Sequence, residues 1–312
     1  MGNLRNALIA LLVPLPSIAF YLYFLQHYHV GNKDLFGIWL WCYHHPLLLS
    51  SLLFFINISV LFWVISLIQT SHWMIDLYWT VLPVMLSIYY ATHPLSQYNT
   101  MRSSVVIFLT LIWSLRLSHS YFRREKWQWG AREDWRFTSM RKDYGKNWWW
   151  ASFFAVYFAQ QVLMTGLCLP IFAIHTIDKP CNMWDSLAVI ICISGIITAY
   201  FADTQLHEFT TKKPNGPVLD VGLWKYSRHP NYFGEQLWWW GLFVFGWNVG
   251  FGWSFIGSLM NSMCLAYVTA LVEKRMVRHR DRADAYRKYR NETSVWIPWF
   301  KMDCKEQKEK NI

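Results

Sequence analysis

Charge is scarce in this chain. Only 15% of its 312 residues are Asp, Glu, Lys or Arg, against 54% hydrophobic, a balance outside the usual range of soluble globular proteins. Several nucleotide and metal signatures are missing as well. No GxGxxG follows a strand pattern, since Gly250-Phe251-Gly252 lies in an apolar turn, and there is no Walker loop and no HExxH. The six cysteines (Cys42, Cys168, Cys181, Cys192, Cys264 and Cys304) lack paired spacing and sit mostly in or beside apolar runs, which argues for packing rather than disulfides or metal ligation. His44 and His45 form a pair, but are expected on the side opposite the acidic residues considered below, and no metal site is expected. No internal repeat, low-complexity linker or soluble domain separates out. The first apolar run contains Pro14 and Pro16 and no small-residue cleavage site follows it, so it is read as retained. Asn57-Ile-Ser59 and Asn291-Glu-Thr293 fit the glycosylation pattern, yet one lies inside an apolar run and the other in a basic tail, so both are read as chance.

What the chain does have is apolar runs of bilayer length, about 20 residues each. They cover residues 4 to 25, 46 to 69, 73 to 91, 103 to 121, 148 to 174 and 184 to 204, and 237 to 272 is long enough for two, broken by GWNVGFG. The expected fold is therefore all-α, a polytopic transmembrane helix bundle of seven or eight spans. The net charge of +10 is placed unevenly: residues 122 to 147 hold 8 basic and 4 acidic side chains and 274 to 312 hold 12 and 6, whereas 26 to 45, 92 to 102 and 175 to 183 are almost uncharged. That placement argues against a nucleic-acid partner. It puts the N-terminus, 122 to 147, 205 to 232 and the tail on the cytosolic side, and the alternation closes with eight spans. Lys308 and Lys310 have the spacing of a dilysine signal for the endoplasmic reticulum, so an integral membrane protein of that organelle with a cytosolic C-terminus is expected.

Ionisable groups within spans are costly and are functional candidates for that reason. Asp76 opens the third span, Arg116 and His119 lie in the last turns of the fourth with Tyr121 following, Asp203, His207 and Glu208 close the sixth, and Glu235 opens the seventh. All fall near the cytosolic face in this topology. Arg116, Lys225 and Arg228 have a second reading as cations that snorkel to headgroups, and Trp238 to Trp240 as an interfacial aromatic belt. Asp76, Asp203 and Glu235 are too short to reach water from within a span, and are expected to pair with cations or bind ligand hydroxyls and amides in a partly hydrated cavity.

The stretch GLWKYSRHPNYFGE, with Asp203 ending a span, a short basic loop carrying Lys212 and Lys213, and the tail AYRKYRNETSVWIPWF, resembles the C-terminal motif of the steroid 5-alpha-reductase family. The wider superfamily includes sterol C14 reductases and isoprenylcysteine carboxyl methyltransferases. The likeness covers roughly residues 190 to 300, and the block GAREDWRFTSMRK resembles a less characterised branch. It implies a membrane helix bundle that binds NADPH from the cytosol and takes a lipid enone, sterol olefin or polyprenoid from the bilayer. It also implies a division into N-terminal lipid-side helices (1–121), a cytosolic basic loop (122–147) and a cofactor-binding region (148–312). By this resemblance Asn231 and Glu235 contact the cofactor, Asp203 binds its polar portion, Arg228 lies near its phosphates, and His229 and Tyr232 line the pocket. Hydride then adds to a conjugated carbon to carbon double bond while an acid polarises the carbonyl oxygen. Asp76 resembles the family glutamate in spacing, and Tyr121 or His119 stands in for its tyrosine.

Two departures keep alternatives open. Some family reductases carry a basic residue before the final Ile-Pro, where this chain reads NETSVWIP, so a 2'-phosphate would rely on Lys212, Lys213, Arg287, Lys288 or Arg290, and NADPH is less firmly implied than dinucleotide binding. An S-adenosylmethionine-dependent lipid methyltransferase would share the RHPxYxG core, but those enzymes usually carry adjacent glutamates at the end of the last span, where this chain has Glu273 and Lys274. A non-catalytic sterol-binding protein is the remaining alternative.

Overall fold

The computed structural model describes residues 2–29, 37–212, 217–278 and 281–301; the dilysine pair and Lys213 lie outside the described residues. The chain divides into two units, Met1–Asp185 with Phe245–Gly257, and Ser186–Val244 with Ser258–Ile312. Among the described residues every regular element is a helix, joined by turns and one isolated bridge. Seven helical segments among the described residues are long and apolar enough to cross a membrane.

The first unit begins with α1 (Gly2–Leu12) and α2 (Leu15–His29), parted at Pro14, where a proline cannot donate to the helical ladder. A short α3 (Ile38–His44) and α4 (Pro46–Phe54) lead through a π-helical stretch, Phe55–Leu61, into α5 (Phe62–Gln69). Then come α6 (Trp73–Thr92) and α7 (Thr100–Arg124), a closely packed pair. Asn99 starts α7 by accepting the Arg102 N–H at 3.1 Å. The segment read from sequence as a basic loop carries a further helix, α8 (Trp135–Tyr144), begun by Asp134, whose carboxylate accepts the Arg136 N–H at 2.8 Å. Helix α9 (Trp148–Ser152), a second π-helical stretch (Phe153–Phe158) and α10 (Ala159–Thr176) complete this part. The two π stretches pack on each other, and Gln161 joins their surroundings by accepting from Ser59 Oγ at 2.5 Å and donating to the Ser51 carbonyl at 3.1 Å.

One buried cation organises the other end of the first unit. Arg102 donates to both carboxylate oxygens of Asp185 at 2.6 and 2.9 Å and to the carbonyls of Lys179 and Pro180 at 2.7 and 3.0 Å. Asn248 adds a bond to Asp185 at 3.0 Å and one from Asn182 at 2.8 Å. Backbones also come very close: a Cβ on Gly257 would stand 2.1 Å from the Gly166 carbonyl oxygen, so only glycine fits there.

The second unit contains most of α11 (Met183–Thr211), α12 (Pro230–Asn248) and α13 (Phe255–Arg278), and all of α14 (Ala283–Glu292). The break between α12 and α13 coincides with the GWNVGFG turn, where Gly250 adopts φ +106°. Helix α12 starts at Pro230, earlier than its apolar run, because proline is well suited to a first helical turn. Its 19 residues reach about 28 Å, which makes it the eighth candidate by length; Asn231, Glu235, Gln236 and the tryptophans keep it out of the seven apolar ones.

Replacing Arg102 with Met leaves Asp185 without its cation in a mostly buried site. The expected result is a loss of about 3 kcal/mol, read as a lower thermal unfolding midpoint of the detergent-solubilised protein. A midpoint unchanged from wild type would show that the pair does not hold this end of the unit.

Candidate functional sites in the two units

In the second unit, α11 and α12 touch along a seam of small residues. A Cβ on Gly195 would lie 2.6 Å from the Gly234 carbonyl oxygen, and one on Gly234 would lie 2.6 Å from the Ala199 nitrogen. Gly195, Ala199 and Asp203 follow one another at four-residue intervals, so the seam continues to Asp203. There Asn231 Nδ2 donates to Asp203 Oδ1 at 3.3 Å. The Asn231 Oδ1 is buried and has no hydrogen-bond partner among the described residues, an unsatisfied acceptor of the kind that costs free energy.

The loop before α12 is fixed by backbone and side-chain contacts. Gly222 adopts φ +61° against the Gln205 side chain, whose Oε1 accepts the Leu223 N–H at 3.0 Å. Tyr289 of α14 donates to the carbonyls of Trp224 at 2.5 Å and Ser227 at 3.2 Å, and Arg228 and His229 donate their backbone N–H groups to Ser294 and Val295 at 2.8 and 3.1 Å. Arg228, which the resemblance places near cofactor phosphates, donates from Nε to Glu273 at 2.8 Å and from Nη1 to the Arg290 and Thr293 carbonyls at 2.5 and 2.7 Å. His229 Nε2 lies 3.3 Å from the same Glu273 oxygen, and its ring stacks on Tyr232 with centroids 5.2 Å apart. Lys212 is exposed and lies 3.4 Å from Glu208, while Glu235 is half-buried on α12. Sequence reasoning reached Arg228 and His229 but did not identify Glu273 as their partner, because it is more than 40 residues away along the chain.

In the first unit, Asp76 stands in the first turn of α6, within electrostatic range of Tyr121 and Tyr157. Tyr121 is buried and its hydroxyl has no hydrogen-bond partner among the described residues. His119 is half-buried and packs edge-on against Trp127. The loop from Glu125 to Asp134 closes over this end of α6: Gly130, at φ +63°, fits against the Trp73 ring where a Cβ would lie at 2.7 Å, and Glu125 accepts the Arg132 N–H at 3.0 Å. Burial alone would raise the Asp134 carboxyl, but hydrogen bonds from Arg136 hold it below the usual carboxylate range.

His72, one turn before Asp76, was not legible as a site residue. Its backbone N–H donates to Glu133 at 3.0 Å, and its Nδ1 lies 3.0 Å from the Tyr157 hydroxyl. Phe137, Trp148 and Tyr157 surround the ring. The available signal was its helical spacing from Asp76. Among the described residues no cluster of three His, Cys, Asp or Glu could hold a metal ion.

The family model described as "Protein of unknown function (DUF1295)" matches residues 62–293. The chain is 26% identical over 227 residues to an uncharacterized protein of Schizosaccharomyces pombe, an alignment covering 65% of each chain. No solved structure matches.

Burial and the nearby Arg141 guanidinium lower His72 from its ordinary value of 6.5 to about 4. As pH falls between those values the unfolded chain takes up a proton that the folded protein resists, so stability drops by about 1.4 kcal/mol per pH unit, approaching 3 kcal/mol in all. Above that window the group contributes no pH dependence. His72→Gln removes this contribution, so thermal midpoints of the wild type should fall more steeply on acidification than those of the variant. Parallel slopes would show that folded His72 accepts its proton normally.

Proposed function

The chain belongs to the DUF1295 family, steroid 5-alpha-reductase-like in the general sense, and from that premise we propose that it is an NADPH-dependent membrane oxidoreductase that reduces a carbon to carbon double bond in a steroid, sterol, polyprenoid or other lipid. The observation that carries the reading is the buried Asn231 Oδ1, an acceptor without a partner among the described residues on an amide whose nitrogen Asp203 already engages. A nicotinamide carboxamide or a ribose hydroxyl supplies the missing donor, so these residues fit a dinucleotide. Asn231, Asp203 and Glu235 would hold its polar parts, with Tyr232 and His229 lining the site and Lys212 and Lys213 available to phosphate. Bound NADPH supplies the hydride. Arg228 acts as a positioning residue, since its bonds to Glu273 and two carbonyls hold the loop from which α12 starts.

Tyr121 is assigned as donor to a carbonyl oxygen of the lipid. Its hydroxyl is buried without a partner among the described residues, and a hydrogen bond from it would stabilise negative charge developing on that oxygen. Asp76 lies close enough to influence Tyr121 electrostatically and is assigned a proton-handling role, with His119 as the alternative to Tyr121. In this reading helices of 1–121 form the lipid side, 122–147 the cytosolic loop and 148–312 the cofactor region. The protein sits in the endoplasmic reticulum membrane with its C-terminus in the cytosol.

Thermal unfolding of the purified protein with NADPH, NADH or S-adenosylmethionine tests the cofactor, because a ligand that binds only the folded state raises its apparent stability. Stabilisation by NADPH, with affinity about tenfold weaker in Asn231→Ala, is expected; stabilisation by S-adenosylmethionine alone would replace the reductase reading with a methyltransferase. Asp76→Asn should leave NADPH stabilisation intact and lower lipid turnover by about a hundredfold. Full turnover in that variant removes the proton-handling role.

A further inference from the structure

Helix α12 has two packed sides within the second unit. Gly234 and Gly241 face α11, where a Cβ on Gly241 would meet Cys192 Sγ at 2.5 Å. Gln236 and Trp240, four residues apart, lie on the other side, and there they meet α13. Ser258 Oγ donates to the Trp239 carbonyl at 3.1 Å, and Trp240 Nε1 donates to Ser262 Oγ at 3.1 Å. Ser262 Oγ, which also lies 2.9 Å from the Ser258 carbonyl, donates to Gln236 Oε1 at the shorter distance of 2.7 Å.

This network takes up acceptors and leaves donors over. With Oε1 engaged by Ser262, Gln236 keeps the N–H groups of Nε2, which is buried without a hydrogen-bond partner among the described residues. Asn261 Nδ2, on the residue next to Ser262, is in the same condition. Gln236 is 7% exposed and Asn261 5%, so neither amide is relieved by the surface. A buried donor without an acceptor costs free energy, and in hydrocarbon no water is at hand to supply one. Two such amides in one seam between long apolar helices call for an acceptor from outside the chain.

We infer that the seam between α12 and α13 binds the carbonyl oxygen of a membrane lipid. Charge argues against an anion: residues 236–244 and 258–269 contain no Lys, Arg or His, so a phosphate or carboxylate would lose its hydration with no cation to compensate. A carbonyl oxygen accepts two hydrogen bonds and brings no donor of its own, which matches two amides with N–H groups to spare. The flank is open to lipid, since Leu259 and Met263, on either side of Asn261 and Ser262 in the chain, are exposed. Trp240 is half-buried and is the side chain that turns aside to admit the oxygen. Gln236 lies about 9 Å from the start of α12, level with tryptophans suited to a membrane interface, the depth at which phospholipid ester carbonyls lie. A ketone on a sterol or other lipid presents the same acceptor. This inference does not rest on the proposed reductase activity.

The test places the full-length protein in nanodiscs of a diacyl phosphatidylcholine and, separately, of its dialkyl ether analogue, which keeps the headgroup and chains but has no carbonyl. Cholestenone, or cholestane as the oxygen-free control, is then added to the ether-lipid discs. Thermal midpoints are read for wild type and for Gln236→Leu/Asn261→Leu. If the ester is the ligand, wild type unfolds on the order of 2 °C higher in the diacyl discs, and the double variant shows no such gap. If a lipid ketone is the ligand, cholestenone but not cholestane raises the wild-type midpoint in the ether discs, and the double variant does not respond. A wild type indifferent to both carbonyls overturns the site, and decides even if the variant fails to fold. A double variant that responds like wild type overturns it as well, because the carbonyl is then held elsewhere. NADPH plays no part in the comparison, so its outcome and that of the reductase reading are separate.

Discussion

A guanidinium removed from water has to be surrounded by acceptors, and the second unit is arranged around that requirement at Arg228. The side chain is 8% exposed as a residue; left alone at such a site it would destabilise the fold by several kcal/mol. Glu273 supplies the opposite charge and the Arg290 and Thr293 carbonyls supply further acceptors. Satisfying one cation therefore draws together the start of α12, the last turns of α13 and the end of α14. The backbone bonds from Arg228 and His229 to Ser294 and Val295 and from Trp299 to Tyr226 follow along the same line. Every proposed ligand contact on the first turn of α12 inherits its position from this arrangement.

The first unit solves the same problem with Arg102, using one carboxylate and two carbonyls. At Arg228 the acceptors include the Arg290 carbonyl in the last turn of α14, where carbonyls lack intrahelical partners, and at Arg102 they include the Lys179 and Pro180 carbonyls of the loop between α10 and α11. Such sites satisfy two deficits at once. They also explain why a basic side chain in an apolar chain need not be a ligand contact: its hydrogen-bonding capacity can be taken up by the fold.

The helices were largely legible because apolar runs of bilayer length leave few other structures open to the chain. The turn between α12 and α13 was legible from GWNVGFG, and the break in the first run coincides with its prolines. Helix α8 was not: a run dense in Arg, Lys, Asp and Glu carries no apolar stripe, and its start depends on Asp134 acting as a cap. The site was legible to the extent that one short segment contained it. RHPNYFGE announced Arg228, His229, Asn231 and Glu235, and the Asp203 to Asn231 contact joins two residues already singled out. Glu273, Tyr289 and His72 act through partners distant in sequence, and without an alignment nothing in the local pattern distinguishes them from other polar residues at helix ends.

This contrast bears on how the cations divide their roles. Arg102 and Arg228 are buried and surrounded by acceptors, so a phosphate approaching either would have to displace bonds that already compensate its charge. Lys274, Arg278 and Arg290 are exposed at a cavity whose one carboxylate is engaged elsewhere. Glu273 makes the division possible: by pairing with Arg228 it both stabilises a buried cation and withdraws negative charge from the cavity wall. The same carboxylate thus links the support of the α12 loop to the charge balance of the neighbouring surface that carries Lys274, Arg278 and Arg290.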